Sequence, residues 1–174
     1  GWYRLDLMMA FFAVQHRRAP SSRFLFVTRD PPAIIHAAAT AAGVPIEALL
    51  IRSASRAEVP GLVAAADYGI LFGTKGISAL ARSPVKLGEY MAMELPVVTD
   101  RVIGDVGQII EESGAGILVD RFDAEGFGEA LDRLEQMQPD MCRWRASFER
   151  WFNLSEGVRR YNDIYVRLAH SAGR

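Results

Sequence analysis

Five short apolar runs, each followed by a helix-like pattern, constrain this chain more than any other feature. "RFLFVT" (23–28), "ALLI" (48–51), "YGILF" (68–72), "PVVT" (96–99) and "AGILV" (115–119) are continuous rather than alternating in polarity. A strand reads that way when both its faces are covered, as in a parallel sheet with helices on each side. The segments between them carry helix punctuation. "PPAIIHAAATAAG" (31–43) closes on Gly43, "RAEVPGLVAAAD" (56–67) is helical in the main after Pro60, and "GDVGQIIEESG" (104–114) runs from Asp105 as an N-cap to Gly114 as a stop. Such alternation predicts a doubly wound, Rossmann-like parallel sheet with helices on both faces. Residues 123–136, 140–152 and 156–170 read as extra C-terminal helices. Their aromatics (Phe127, Trp144, Phe148, Trp151, Phe152, Tyr161, Tyr165) are expected to pack on the sheet or on a neighbouring domain. The opening helix, at 3–17, has no strand before it, and the chain begins Gly-Trp. We expect an excerpt of a longer protein.

With 174 residues, half of them hydrophobic, the chain is the size of one domain with a sizeable core. A net charge of −1 argues against a general nucleic-acid binder. The single cysteine, Cys142, excludes an intrachain disulfide and fits a reducing compartment. His16, His36 and His170 are far apart, with no ligand-spaced neighbours, so no metal site is expected. "LDLMMAFFAV" is too short to span a bilayer and lacks the flanks of a signal peptide. No transmembrane segment is expected.

The most informative stretch is "SPVKLGEYMAMELPVVTD" (83–100). Ser83 suits an N-cap and Pro84 the first helical position, which puts Lys86 third, where a capping box would want Glu or Gln. Leu87, Gly88, Met91, Ala92 and Leu95 form a small, apolar stripe, while Lys86, Glu89 and Met93 share the other side. A lysine at the positive end of a helix opposes the dipole, unless an anion binds there. Lys86 with the first-turn N–H groups would receive phosphate oxygens, and Glu89, one turn deeper, would accept both hydroxyls of a ribose. The competing reading is an exposed i,i+3 pair worth about 0.2–0.5 kcal/mol. The position after a strand and the loop "GTKGISALAR" (73–82) favours a ligand.

This stretch resembles the signature of retaining, GT-B-fold glycosyltransferases of the group 1 family, which carry Ser-Pro-x-Lys…Glu-Tyr-Met-Ala…Pro-Val-Val in their C-terminal domains. "EVPGLVAAADYGILF" (58–72), "IGDVGQIIEESGAGILV" (103–119) and "RRYNDIYVRL" (159–168) are similar to further segments of that family, in the same order. The resemblance implies a donor-binding domain over 1–174, with the N-terminal acceptor domain absent. It matches Glu89 to the second acid of a Glu-x7-Glu motif, the one that holds the donor ribose, and Ser83 and Lys86 to polar residues near the diphosphate. The chain departs from the motif at Ala81, where the first acid would stand. Many members with Ser-Pro-x-Lys share that departure, which reads as a subfamily trait. The family's basic pair is not evident: Arg4 is the one candidate in "GWYRLDL", and Lys75 or Arg82 in the long loop, or a residue upstream of Gly1, would take its place.

Other strand ends supply further candidates. Thr28 and Arg29 in "VTRD" either approach the ligand or form a solvated turn before Pro31-Pro32. Arg52 and Ser53 in "IRSAS" fall where the family makes base contacts, and Lys75 is a loop cation able to close over a diphosphate or a plain surface lysine. Gly104 and Asp105 resemble the family's loop near the donor. Glu111 and Glu112 are adjacent, hence about 100° apart on a helix, and make no catalytic pair. No serine-hydrolase or Walker motif is present.

The expected function is binding of a nucleotide-diphosphate sugar for retaining, hexosyl-type transfer to a glycan or lipid-linked acceptor held by the absent domain, in polysaccharide or glycoconjugate biosynthesis. No catalytic side chain is assigned to this half, and no cofactor beyond the donor substrate. The location expected is cytoplasmic, free or peripheral at the inner membrane face, and the fragment alone is expected to be inactive. Two alternatives stay open. One is a non-catalytic nucleotide-binding or regulatory module, for which Ala81 argues. The other is an epimerase-like enzyme on the same fold, which would need acid/base residues facing the sugar.

Overall fold

A computed structural model of the chain describes residues 3–172. The strands are β1 (Phe24–Val27), β2 (Leu49–Arg52), β3 (Gly69–Leu71), β4 (Val97–Thr99) and β5 (Gly116–Leu118). β1 pairs with β2, and β3, β4 and β5 pair in that order. Every one of these pairings is parallel. The helices are α1 (Leu5–Arg18), α2 (Pro32–Ala42), α3 (Val59–Val63), α4 (Ile77–Leu80), α5 (Val85–Ala92), α6 (Val106–Ser113), α7 (Ala124–Glu135), α8 (Met141–Phe152) and α9 (Leu154–Ala172). The predicted α/β architecture with extra C-terminal helices is present.

In β3–β5 the continuous apolar runs have the physical cause expected of them, whereas β1 is half-buried and Leu50 of β2 is 43% exposed. Successive strand residues point to opposite faces. Leu71, Val97 and Leu118 join a core cluster with Leu87 and Met91 of α5, Ile109 of α6 and Trp144 of α8. Their neighbours Phe72, Val98, Ile117 and Val119 join another, with Phe11 of α1 and Phe127 and Leu131 of α7. Both faces are buried, so these three strands are apolar apart from Thr99, whose hydroxyl is hydrogen-bonded to Leu71 O. Helix α1 ties the two sheets together, because its Met9, Phe12 and Ala13 pack with Ile35 and Ala39 of α2 and with Leu49 of β2.

Local differences from expectation are few. The helix expected over 56–67 is reduced to α3, and the long loop 73–82 contains α4. Gly43 and Gly114 do end α2 and α6 in the left-handed conformation. Asp105 stands at the N-cap of α6 without a side-chain cap bond. Phe127 and Trp144 are buried, but Tyr161 and Tyr165 are 66% and 67% exposed on α9. On that helix Glu156 pairs with Arg159 and Arg160, and these bonds hold its carboxyl at about 2, well below the usual range.

The turn after α5 carries an unexpected strain. Leu95 N–H donates to Tyr90 O at 2.9 Å and Glu94 N–H to Met91 O at 3.1 Å. That is the bonding of a Schellman motif, which puts a left-handed residue just past the helix. Here the residue is Glu94, with φ 57°. A side chain in that region costs energy that glycine avoids. Glu94→Gly is therefore expected to stabilise the domain by about 0.5–1 kcal/mol, read as a raised urea midpoint with unchanged slope.

Candidate functional site

The site assembles from loops at the C-terminal ends of the strands. At the end of β1, Thr28 N–H extends the ladder by donating to Arg52 O at 2.9 Å. The Thr28 hydroxyl is engaged locally: it donates to Asp30 Oδ2 and accepts from Asp30 N–H, both at 3.0 Å. Arg52, exposed at the end of β2, heads an open groove of about 470 Å³ that continues over Ser53, Ala54, Glu58 and Leu62. Glu58 closes the turn beneath it by accepting from the Ser55 hydroxyl at 2.6 Å and the Ser55 N–H at 2.7 Å, which lowers the pKa of its carboxyl.

The loops after β3 and β4 are held by one acid. Asp100 is 1% exposed, and its carboxylate accepts from Gly73 N–H at 2.8 Å and Val102 N–H at 2.9 Å. Burial raises its pKa, while these two bonds and the charges of Lys75 and Arg4 pull it down. The preceding Thr99 donates its hydroxyl to Leu71 O at 2.6 Å, fixing β4 against β3. Gly104 N–H donates to Ala79 O at 3.0 Å, so the two loops lie against each other. Within the first loop, Arg82 donates from Nη2 to Thr74 O at 3.1 Å and from Nε to Ser78 O at 3.3 Å. Arg82 therefore braces the loop from inside. Lys75 stays exposed between Gly73 and Gly76, and so does Ala81 at the end of α4. Arg4 is held by Asp6 through its fork, at 2.8 Å and 2.6 Å, which raises its pKa.

The mouth of α5 begins one residue later than expected. Pro84 has extended backbone (ψ 119°) and occupies the N-cap, so Ser83 lies outside the helix, exposed, and no side chain caps α5. Lys86 thus stands second in the helix rather than third. Leu87, Gly88, Met91 and Leu95 of the apolar stripe are buried, whereas Ala92 is exposed, and Lys86, Glu89 and Met93 face solvent.

Lys86 and Glu89 do not form an ion pair. The Lys86 ammonium lies over the ring of Tyr3, 4.3 Å from its centroid. Desolvation there lowers the lysine pKa, against the opposing charges of Glu89 and Asp30. Tyr3 itself is raised by burial, with Arg82 lowering and Glu89 raising it further, and Tyr90 is raised mainly by burial. Lys86, Glu89, Asp30 and Tyr3 thus share one electrostatic neighbourhood, with Thr28 two residues from Asp30, while Lys75 acts through its charge on Asp100. Tyr3 and Asp100 escaped the sequence reading. Asp100 offered a signal, an acid directly after the run of β4. Tyr3 offered none, because its contact is made far along the chain.

A Rossmann-like sheet with a cation-bearing, uncapped helix mouth at its strand ends is an architecture used to hold nucleotides. The chain belongs to the group 1 glycosyl transferase family, whose model matches residues 5–136. No curated protein gives a significant match. Among solved structures it is similar to WaaG, a glycosyltransferase involved in lipopolysaccharide biosynthesis, at 21% identity and a TM-score of 0.65, over 88% of this chain and 40% of that one. It is also similar to sucrose-phosphate synthase from Thermosynechococcus elongatus, at 18% identity and a TM-score of 0.68, over 96% of this chain and 42% of that one. A third, in the GtfA/B complex, gives 13% identity and 0.61, over 86% and 30%. The chain thus spans less than half the length of each of these structures. Among the described residues no helix is long and apolar enough to cross a membrane.

Proposed function

We propose that this domain binds the nucleotide-diphosphate sugar donor of a retaining glycosyl transfer at the mouth of α5. The observation that carries the reading is the separation of Lys86 from Glu89. The cation sits on an aromatic ring and the carboxylate stays open, so neither is neutralised by the other. In this reading the diphosphate meets Lys86 and the uncapped first turn of α5, with Ser83 beside them. Glu89 takes the ribose hydroxyls, Lys75 closes from the loop, and the groove headed by Arg52 receives the base. Thr28 contributes through the turn it makes with Asp30.

The chemistry this half supplies is electrostatic. As the bond from the anomeric carbon to the diphosphate oxygen breaks, its electron pair stays on the diphosphate, and Lys86 with the helix N-terminus stabilises the growing charge. The acceptor, a glycan or lipid-linked glycan, is brought by a part of the enzyme beyond these residues, so residues 1–174 alone bind donor without turning it over. Similarity to a lipopolysaccharide enzyme supports a role in polysaccharide or glycoconjugate synthesis. The exposed free Cys142 fits a cytoplasmic setting. A second reading, a nucleotide-binding module without transferase activity, is favoured by the exposed Ala81 at the position of the first motif acid.

Calorimetric titration with UDP, GDP and ADP tests the proposal. One of the three is expected to bind. Lys86→Ala and Glu89→Ala should each weaken it about 10–100-fold, the scale of a charge-assisted hydrogen bond. Glu89→Ala should also bind the 2′-deoxy analogue as well as the ribonucleotide. Absence of binding, or binding indifferent to both substitutions, overturns the donor-site reading.

A further inference from the structure

We propose that Tyr3 is a positioning residue for Lys86: its ring holds the ammonium at the mouth of α5, apart from Glu89 and Asp30, where diphosphate oxygens arrive. The inference rests on the donor-site reading above and adds to it a residue from a distant part of the chain.

Three observations support it. First, Lys86 has two carboxylates within electrostatic reach, Glu89 on its own helix and Asp30 in the turn after β1, yet it pairs with neither and lies on the Tyr3 ring at 4.3 Å. Second, the platform is anchored. Tyr3 bridges to Gly73 in antiparallel fashion, Arg4 N–H donates to Phe72 O at 3.0 Å, and the Tyr3 side chain packs against the cluster containing Leu87 and Met91. Third, Tyr3 touches the same loop that carries Lys75, so the ring links the loop after β3 to the helix mouth.

The physical consequence follows from what a ring does to a cation. A carboxylate partner would cancel the lysine charge and occupy oxygens that Glu89 needs for a ribose. An aromatic face attracts the ammonium through its quadrupole and leaves the net charge in place. It also restrains a long side chain whose rotamer freedom would otherwise be lost on binding. Lys86 is thereby set in advance without being neutralised, and Glu89 remains an open acceptor. The Arg82 guanidinium, whose charge also acts on Tyr3, is engaged by the loop carbonyls of Thr74 and Ser78.

The test uses Tyr3→Phe and Tyr3→Leu, each alone and combined with Lys86→Ala. UDP, GDP and ADP are the probes, read by calorimetry. Tyr3→Leu is expected to weaken diphosphate binding about 3–30-fold, and Tyr3→Phe to stay within about twofold of wild type. In the Lys86→Ala background Tyr3→Leu should cost nothing more, since the residue acts through the lysine. A ligand-free measurement runs beside it. In proton NMR the Lys86 ε-methylene signals should be shifted upfield by the ring in wild type and Tyr3→Phe, and lose that shift in Tyr3→Leu.

Missing upfield shift in wild type overturns the inference without any variant having to fold. Equal losses in Tyr3→Phe and Tyr3→Leu, or additive losses with Lys86→Ala, overturn it as well. Binding that depends on Lys86 but ignores Tyr3→Leu removes this inference and leaves the donor site standing. A clear ring shift with no diphosphate bound removes both, and the contact is then structural.

Discussion

Asp100→Ala is expected to lower the stability of the domain by about 2–4 kcal/mol, because it leaves two backbone N–H groups without an acceptor. Gly73 and Val102 both donate to the Asp100 carboxylate, which is 1% exposed, so water cannot replace it without opening the structure. Relief from burying a charge offsets part of the loss. Asp100→Asn is not a rescue. One of its two terminal atoms becomes an NH2, which faces a backbone donor. The pH dependence has a defined sign. Burial raises the Asp100 pKa above the ordinary 3.8, so between 3.8 and that raised value the native state holds a proton the unfolded chain has released. Stability from this residue therefore falls as pH rises through that window and is regained on acidification. The stability gap between wild type and Asp100→Ala, measured by urea melts, should widen from neutral pH down towards 3.8 and be level below it. A gap that narrows on acidification contradicts the assignment. Because the same bonds hold the loops bearing Lys75 and Gly104, diphosphate binding should weaken in parallel.

Gly104→Ala is the second large effect, expected to cost about 2 kcal/mol or more and to weaken donor binding. Gly104 has φ +38°, and a Cβ there would stand 2.0 Å from Arg82 O, a backbone atom that cannot rotate away. The loop 73–82 must then move from its seat against the β4–α6 connection, breaking the Gly104 N–H bond to Ala79 O. Gly43→Ala separates the two contributions. Its φ is +70°, but nothing lies within 4 Å, so it reports the left-handed conformation alone, about 1 kcal/mol. If the two substitutions cost the same in melts and Gly104→Ala binds diphosphate normally, the close approach of the loops has no energetic weight.

Much of the fold was legible because it is written in local pattern. Apolar runs such as "AGILV" stay apolar since Ile117 and Leu118 face different clusters, and Gly43 and Gly114 end helices where they stand. The helix carrying Lys86 and Glu89 was legible for the same reason: proline, a small apolar stripe and an acid one turn in are all within one segment. Misreadings occurred where local signals conflict. Ser-Pro suggested a capped start at Ser83, but Pro84 takes the extended N-cap position and shifts the helix by one. The turn after α5 lacks its usual glycine, so the left-handed Glu94 left no trace in composition.

The strand–helix order, the family and the identities of the charged groups at the helix mouth come from the sequence by itself, since each depends on neighbours within a few residues. Tertiary structure alone decided that Lys86 rests on Tyr3 rather than on Glu89, that Asp100 is buried as the acceptor for two loops, and that Gly104 has no room for a side chain. Those are contacts between segments distant in sequence, and their energies depend on burial and approach distance, quantities that exist only once the chain has closed on itself.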